Sequence, residues 1–85
     1  MKISLFPKEF MHLVTVEIIA QKEGYYVVSL LDIQGRILRM LGIDLSIGIN
    51  CFRLDRLEVL SSGIYFFHIV NKNGKPIYTT ELIKQ

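Results

Sequence analysis

The chain has few residues able to cross-link or ligate: of 85 residues, one is cysteine (Cys51) and two are histidine (His12 and His68). A lone cysteine forbids an internal disulfide, and two histidines beside it make a poor set for structural zinc. Neither metal nor cofactor is expected. An unpaired cysteine fits the cytosol, a bacterial periplasm or a cell surface, so it does not fix the compartment. Alanine is rarer still, with Ala20 alone, and scarcity of good helix formers excludes a helical bundle. Ten basic residues face eight acidic ones, a net charge of +2, too weak and scattered for the basic footprint of a nucleic-acid binder. No apolar run approaches the ~18–20 residues of a membrane-spanning helix. The opening Met1–Glu9 breaks at Pro7 and is too short for a signal-peptide core.

What the chain does have is apolar and β-branched. Hydrophobic residues make up 51%, led by twelve isoleucines and eleven leucines. This argues for one small packed domain over residues 1–85, stabilised by burial alone. Gly24, Gly35, Gly48, Gly63 and Gly74 each follow a β-rich run, at the spacing of an antiparallel sandwich or barrel. Alternation places strands at His12–Ala20, Tyr25–Ile33, Arg36–Leu41, Ile49–Asp55, Gly63–Val70 and Lys75–Lys84, with a weaker one at Ile3–Phe6. Tyr25–Ile33 is apolar on both faces, which suits a central strand covered on both sides. Asn73-Gly74 reads as a positive-φ hairpin turn. Pro76 marks an edge strand, and Arg56–Ser62 reads as a loop tucked over the core. The expected fold is an all-β, immunoglobulin-like antiparallel sandwich of about seven strands without significant helix. Its core is expected to include Val14, Val16, Val28, Leu30, Phe52, Leu54, Tyr65, Phe67 and Ile69. Few inward charges guard its edges, so weak edge-to-edge dimers are expected.

Catalytic constellations are missing. There is no GxSxG, HExxH, phosphate-binding glycine loop or CxxC, and Glu23, Asp32, Asp44 and Asp55 sit beside turns, where carboxylates cap or solvate bends. His68 and Cys51 read as strand residues. The chain is therefore not expected to be an enzyme. Tyr25, Tyr26, Tyr65, Phe66, Phe67 and Tyr78 could form a sugar platform, but consecutive aromatics on a two-faced strand more often divide between core and cover. Leu60-Ser61-Ser62-Gly63-Ile64-Tyr65 reads L-x-x-G-x-Y, the pattern of a tyrosine corner, with the phenol bonded backward to the turn and Gly63 supplying a backbone angle or a close approach.

Three motifs then fall in order: Leu30-Leu31-Asp32-Ile33-Gln34-Gly35-Arg36-Ile37-Leu38, Gly48-Ile49-Asn50, and Leu60–Ile69 (LSSGIYFFHI). The chain closes on Glu81-Leu82-Ile83-Lys84-Gln85. Over roughly residues 5–85 this resembles the type A C-terminal sorting domain of the Bacteroidetes type IX (Por) secretion system. There an aliphatic-rich Y-D-x-x-G-[RK] hairpin, a G-x-N turn, an L-x-x-G-x-Y-x-V-x-I strand and a terminal K-L-[IV]-K follow in this order. Among the departures from that pattern, only Pro7 survives of the family's Tyr-Pro-Asn-Pro opening, and Glu81 stands where a basic residue is frequent.

The resemblance implies a secretion label. A cargo domain would be attached N-terminally, making this chain the excised tail of a longer protein; the alternative is an unusual stand-alone member. The partners would be the outer-membrane translocon and a sortase-like signal peptidase, and the destination the cell surface or medium, by way of the periplasm. It marks Asp32, Gly35, Gly48, Asn50, Gly63 and Tyr65 as sorting-motif and fold determinants, and Leu82, Ile83 and Lys84 as the receptor readout. Alternation turns Leu82 inward and Ile83 outward, and Lys84 is expected at the surface. The competing reading is an immunoglobulin-like adhesion or carbohydrate-binding module of a surface protein.

Overall fold

A computed structural model describes all 85 residues. The elements in order are β1 (Lys2–Phe6), β2 (Glu9–Phe10), β3 (Val14–Ala20), β4 (Gly24–Leu31), β5 (Ile37–Leu45), β6 (Gly48–Leu54), a one-turn 3-10 helix at Leu57–Val59, β7 (Gly63–Asn71) and β8 (Pro76–Lys84). They form two sheets, one in the order β1-β3-β6 and the other β2-β8-β7-β4-β5. Two such sheets, each with one apolar face, bury those faces against each other. The result is the expected all-β sandwich, with eight strands instead of about seven and one parallel pair among otherwise antiparallel ones.

The eighth strand comes from the N-terminal segment, which serves both sheets. β1 pairs antiparallel with β3, and Glu9–Phe10 then pairs parallel with Ile83–Lys84 of β8. Pro7 lies at the crossing, where a residue without an N–H removes nothing from either ladder. Within each sheet the registers place alternate residues inward. Val14, Val16 and Ile18 of β3, Val28 and Leu30 of β4, Tyr65, Phe67 and Ile69 of β7, and Leu82 of β8 are all buried. Burying a side chain of this size stabilises the fold by about 1.5–3 kcal/mol. Of the expected core, Phe52 alone is only partly buried, packed against the cluster's margin. Phe10 and Leu57, both fully buried, join the core from outside the long strands. The Arg56–Ser62 segment does tuck over it, with Leu57 N–H donating to the His12 carbonyl at 2.8 Å.

Four features differ from the sequence expectation. β5 runs on to Leu45 past Gly42, whose missing side chain leaves the space occupied by the Tyr25 hydroxyl. β4 is flanked by β7 and β5 in its sheet but covered on its inner face alone: Tyr25 is 47% exposed, and Val27 and Leu31 are half-buried. β5 has a register break opposite Leu30/Leu31, and Arg39, level with buried Leu30, reaches the Arg56 carbonyl at 3.3 Å. Arg39 is thus a charge turned toward the gap between the sheets, where it guards the β5 edge. Lys84 is the fourth: it is 9% exposed rather than at the surface, because the alternation that buries Leu82 buries it too. Its aliphatic stem lies in the sandwich, and its Nζ donates to the Gln85 carbonyl at 2.8 Å.

Candidate functional site

Each motif residue singled out above anchors a turn or a strand end. In the β4–β5 turn, Asp32 Oδ1 accepts the N–H groups of Gln34 and Arg36, both at 2.9 Å. Its Oδ2 accepts Arg36 Nε at 2.7 Å, and Gly35 N–H donates to the Asp32 carbonyl at 3.0 Å. Gly35 sits at φ +85°, a conformation that costs a residue with a Cβ about 1–2 kcal/mol. The Arg36 N–H, donating to the carboxylate, is the main reason that Asp32 has a lowered pKa. Partial desolvation opposes it, while the Arg36 guanidinium and the Gln34 N–H act in the same sense.

The β7–β8 turn repeats this construction with an amide. Asn71 Oδ1 accepts the N–H groups of Asn73 and Lys75 at 2.9 Å each, and Gly74 N–H donates to the Asn71 carbonyl at 2.9 Å with Gly74 at φ +81°. Asp32-x-x-Gly35-Arg36 and Asn71-x-x-Gly74-Lys75 are one device used twice. Only Gly74 takes positive φ, so the turn closes over three residues (Lys72, Asn73 and Gly74) rather than on Asn73-Gly74 alone. The signal was present in the sequence as [DN]-x-x-G-[RK].

Asn50 stitches the β5–β6 turn. Its Oδ1 accepts Ser46 N–H at 2.9 Å, and its Nδ2 donates to the carbonyls of Ser46, Gly48 and Ile18 at 2.9, 3.2 and 3.2 Å. At the entry to β7 the tyrosine corner is formed: Tyr65, 7% exposed, donates its hydroxyl to the Ser61 carbonyl at 2.6 Å. Gly63 has φ +145° and no atom within 4 Å of where a Cβ would stand, so it serves the backbone angle and not a close approach.

The strand register sorts these residues by place. Leu31 lies opposite Phe66, and Gly63 opposite Lys84. Asp32, Gly35, Gly63, Tyr65 and Leu82–Lys84 therefore share one end of the five-stranded sheet. Gly48 and Asn50 lie at the other end, beside Ala20 and Ile18. At the first end an open cleft of about 600 Å³ lies between the β4–β5 turn and the segment entering β7, lined by Asp32, Arg36, Leu38, Leu60, Ser62 and Gly63 among others. No protein-family model matches the chain, and no curated protein matches it.

At that end Asp32 and Arg36 are paired with each other, and Lys84 Nζ donates to the Gln85 backbone oxygen. No three His, Cys, Asp or Glu side chains converge closely enough to hold a metal ion, and no helix is long and apolar enough to cross a membrane. Cys51 is exposed on β6, and His68 is half-buried on the outer side of β7. The aromatic residues do not make a platform: Tyr65 and Phe67 are in the core, Tyr26 and Tyr78 pack against it, and Tyr25 and Phe66 look outward from different levels of the sheet. What the end presents is shape, namely the β4–β5 turn, the segment entering β7 and the closing residues of β8. Ile83 among them is 40% exposed and level with Ile64.

Proposed function

We propose that this domain is a C-terminal sorting label, read by the type IX outer-membrane translocon, which carries an N-terminally attached cargo from the periplasm to the cell surface or medium. A sortase-like peptidase is the second partner. The observation that carries the reading is the ordered set of motifs: the D-x-x-G-R hairpin, the G-x-N turn, the L-x-x-G-x-Y strand and the Leu82-Ile83-Lys84 close. Two further features support it. Most of the motif residues lie at the end that holds the terminal strand, and the chemistry there is that of backbone and shape rather than of reacting groups. A receptor reading extended backbone and alternate side chains suits such a surface. Burial of Lys84 narrows the readout within the closing strand to Ile83, with Leu82 and Lys84 holding that strand in place.

The test fuses the domain behind a passenger bearing an ordinary export signal, in a bacterium that has the secretion system. The parent fusion should reach the cell surface, and Ile83→Ser should leave the passenger periplasmic while the domain still folds. A parent fusion that stays in the periplasm defeats the sorting reading.

A further inference from the structure

The outer face of the five-stranded sheet has no second layer over it, and its composition is unusual for a surface. On β4 and β7, Leu31 is level with Phe66, Ser29 with His68, and Val27 with Val70. Flanking them, Met40 of β5 is 62% exposed and Ile77 of β8 is 41% exposed. No lysine or arginine projects from the strands on this face. The basic residues stand at its two ends, Arg36 in one turn and Lys72 and Lys75 in the other. Acidic charge enters at three points: Glu9 of the edge strand β2, level with Ile83, Glu81 of β8, level with Phe66, and Asp44 of β5, level with Tyr25. A charge-depleted centre carrying aromatic residues and methionine inside a charged rim is the anatomy of a protein interface.

We infer that this face pairs with the same face of a second copy, about a two-fold axis parallel to the strands. That operation lays β8 on β5 of the partner and β7 on β4 of the partner, with levels preserved. Phe66 then meets the other copy's Leu31, Val70 meets Val27, and the polar His68 meets Ser29. One charge pair matches as well; Arg36, beside which Glu81 arrives, is already held by Asp32 at 2.7 Å and does not supply it. Asp44 arrives beside the end of β8 that follows Lys75. Within one copy β5 and β8 are three strand spacings apart, about 14 Å, so Asp44 and Lys75 do not neutralise each other there. The longer molecular extents, 36 and 23 Å, limit the face to roughly 800 Å² per copy at most, which is the per-partner area of a standard stable interface. The edges do not offer a comparable site: Arg39 turns inward at β5, while Pro76 and the short β2 blunt β8.

Sedimentation equilibrium of the 85-residue chain should give a monomer–dimer equilibrium. Met40→Lys should raise the dissociation constant at least about tenfold while leaving the β-type circular dichroism unchanged. Asp44→Lys and Lys75→Glu should each weaken the dimer, and the double exchange should restore it, which no loss of folding can imitate. A chain that stays monomeric to about 0.5 mM overturns the inference. So does a dimer indifferent to Met40→Lys but lost on Ile49→Lys, which alters the outer side of β6 instead. Binding of the monomer to phosphatidylserine-containing vesicles, without self-association, would overturn it in favour of a lipid surface.

Discussion

Tyr65 and Asp32 show how much structural work single side chains do in a domain without staples. The Tyr65 ring is in the core, where it meets Phe10 edge-on at 6.2 Å between centroids, and its hydroxyl ties the strand to the preceding turn. Tyr65→Phe should cost about 0.5–1.5 kcal/mol, the worth of one hydrogen bond, and Tyr65→Ala about 3–5 kcal/mol through the cavity left behind, both read from urea unfolding. Asp32 makes a pH-dependent contribution. Its pKa is lower in the folded chain than the ordinary value of about 3.9. Its stabilisation is therefore complete above that ordinary value and is lost as pH falls through the lower folded one. Asp32→Asn should flatten that part of the acid limb of stability, and Asn71→Asp should steepen it. Unfolding measured between about pH 2 and 5 checks both directions. These roles were unevenly legible. The spacing L-x-x-G-x-Y announces Tyr65, because the corner is a local device. The kinship of the two turns is equally local, yet it needs Asp and Asn to be read as the same acceptor.

At the scale of elements, the long strands were legible from alternation and the short ones were not. Phe10 sits on a two-residue strand and Leu57 on a single 3-10 turn, and neither segment is long enough to display a period. β5 was cut short in the sequence because Gly42 and Asp44 interrupt its apolar pattern; the Tyr25 hydroxyl over Gly42 is a tertiary fact. Lys84 is the instructive case, since residue type argued for the surface while the two-residue period argued for the interior, and the period prevails. The terminal strand should therefore respond asymmetrically to mutation. Ile83→Ser should change stability by under about 1 kcal/mol. Lys84→Glu, which puts a carboxylate where a long stem is buried, should cost about 1–3 kcal/mol, and Lys84→Met should be nearly neutral. Thermal unfolding of the three variants side by side decides this.

At the scale of the whole molecule the sandwich architecture followed from composition, punctuation and alternation together, whereas the guarding of its edges did not. An inward charge is visible only once the β4–β5 register is known, since the break opposite Leu30/Leu31 shifts which residues of β5 face the gap. Arg39 should keep this edge from pairing with other chains. Arg39→Val should leave the fold intact yet speed aggregation on heating, followed as turbidity, while Arg53→Val on the outer side of β6 should have a smaller effect. The candidate site was legible as a list of residues but not as a place: nothing in the one-dimensional order says that Asp32 and Gly63 share an end with Lys84 while Asn50 lies at the opposite one.

The divided N-terminal segment has a mechanical consequence. Lys2 lies level with Ile19 near the Gly48 end, and β2 runs parallel to β8 toward Lys84 at the other, so the two termini leave the sandwich at opposite ends. Tension applied between Met1 and Gln85 pulls β2 against β8 lengthwise, and loads β1 along β3 at the same time. Hydrogen bonds strained in that direction must fail together, whereas strands peeled from one end yield one bond after another. Stretched by its ends in a force-spectroscopy experiment, the domain should therefore resist as a shear clamp, and Phe10→Ala, which loosens the short parallel pair, should lower the rupture force.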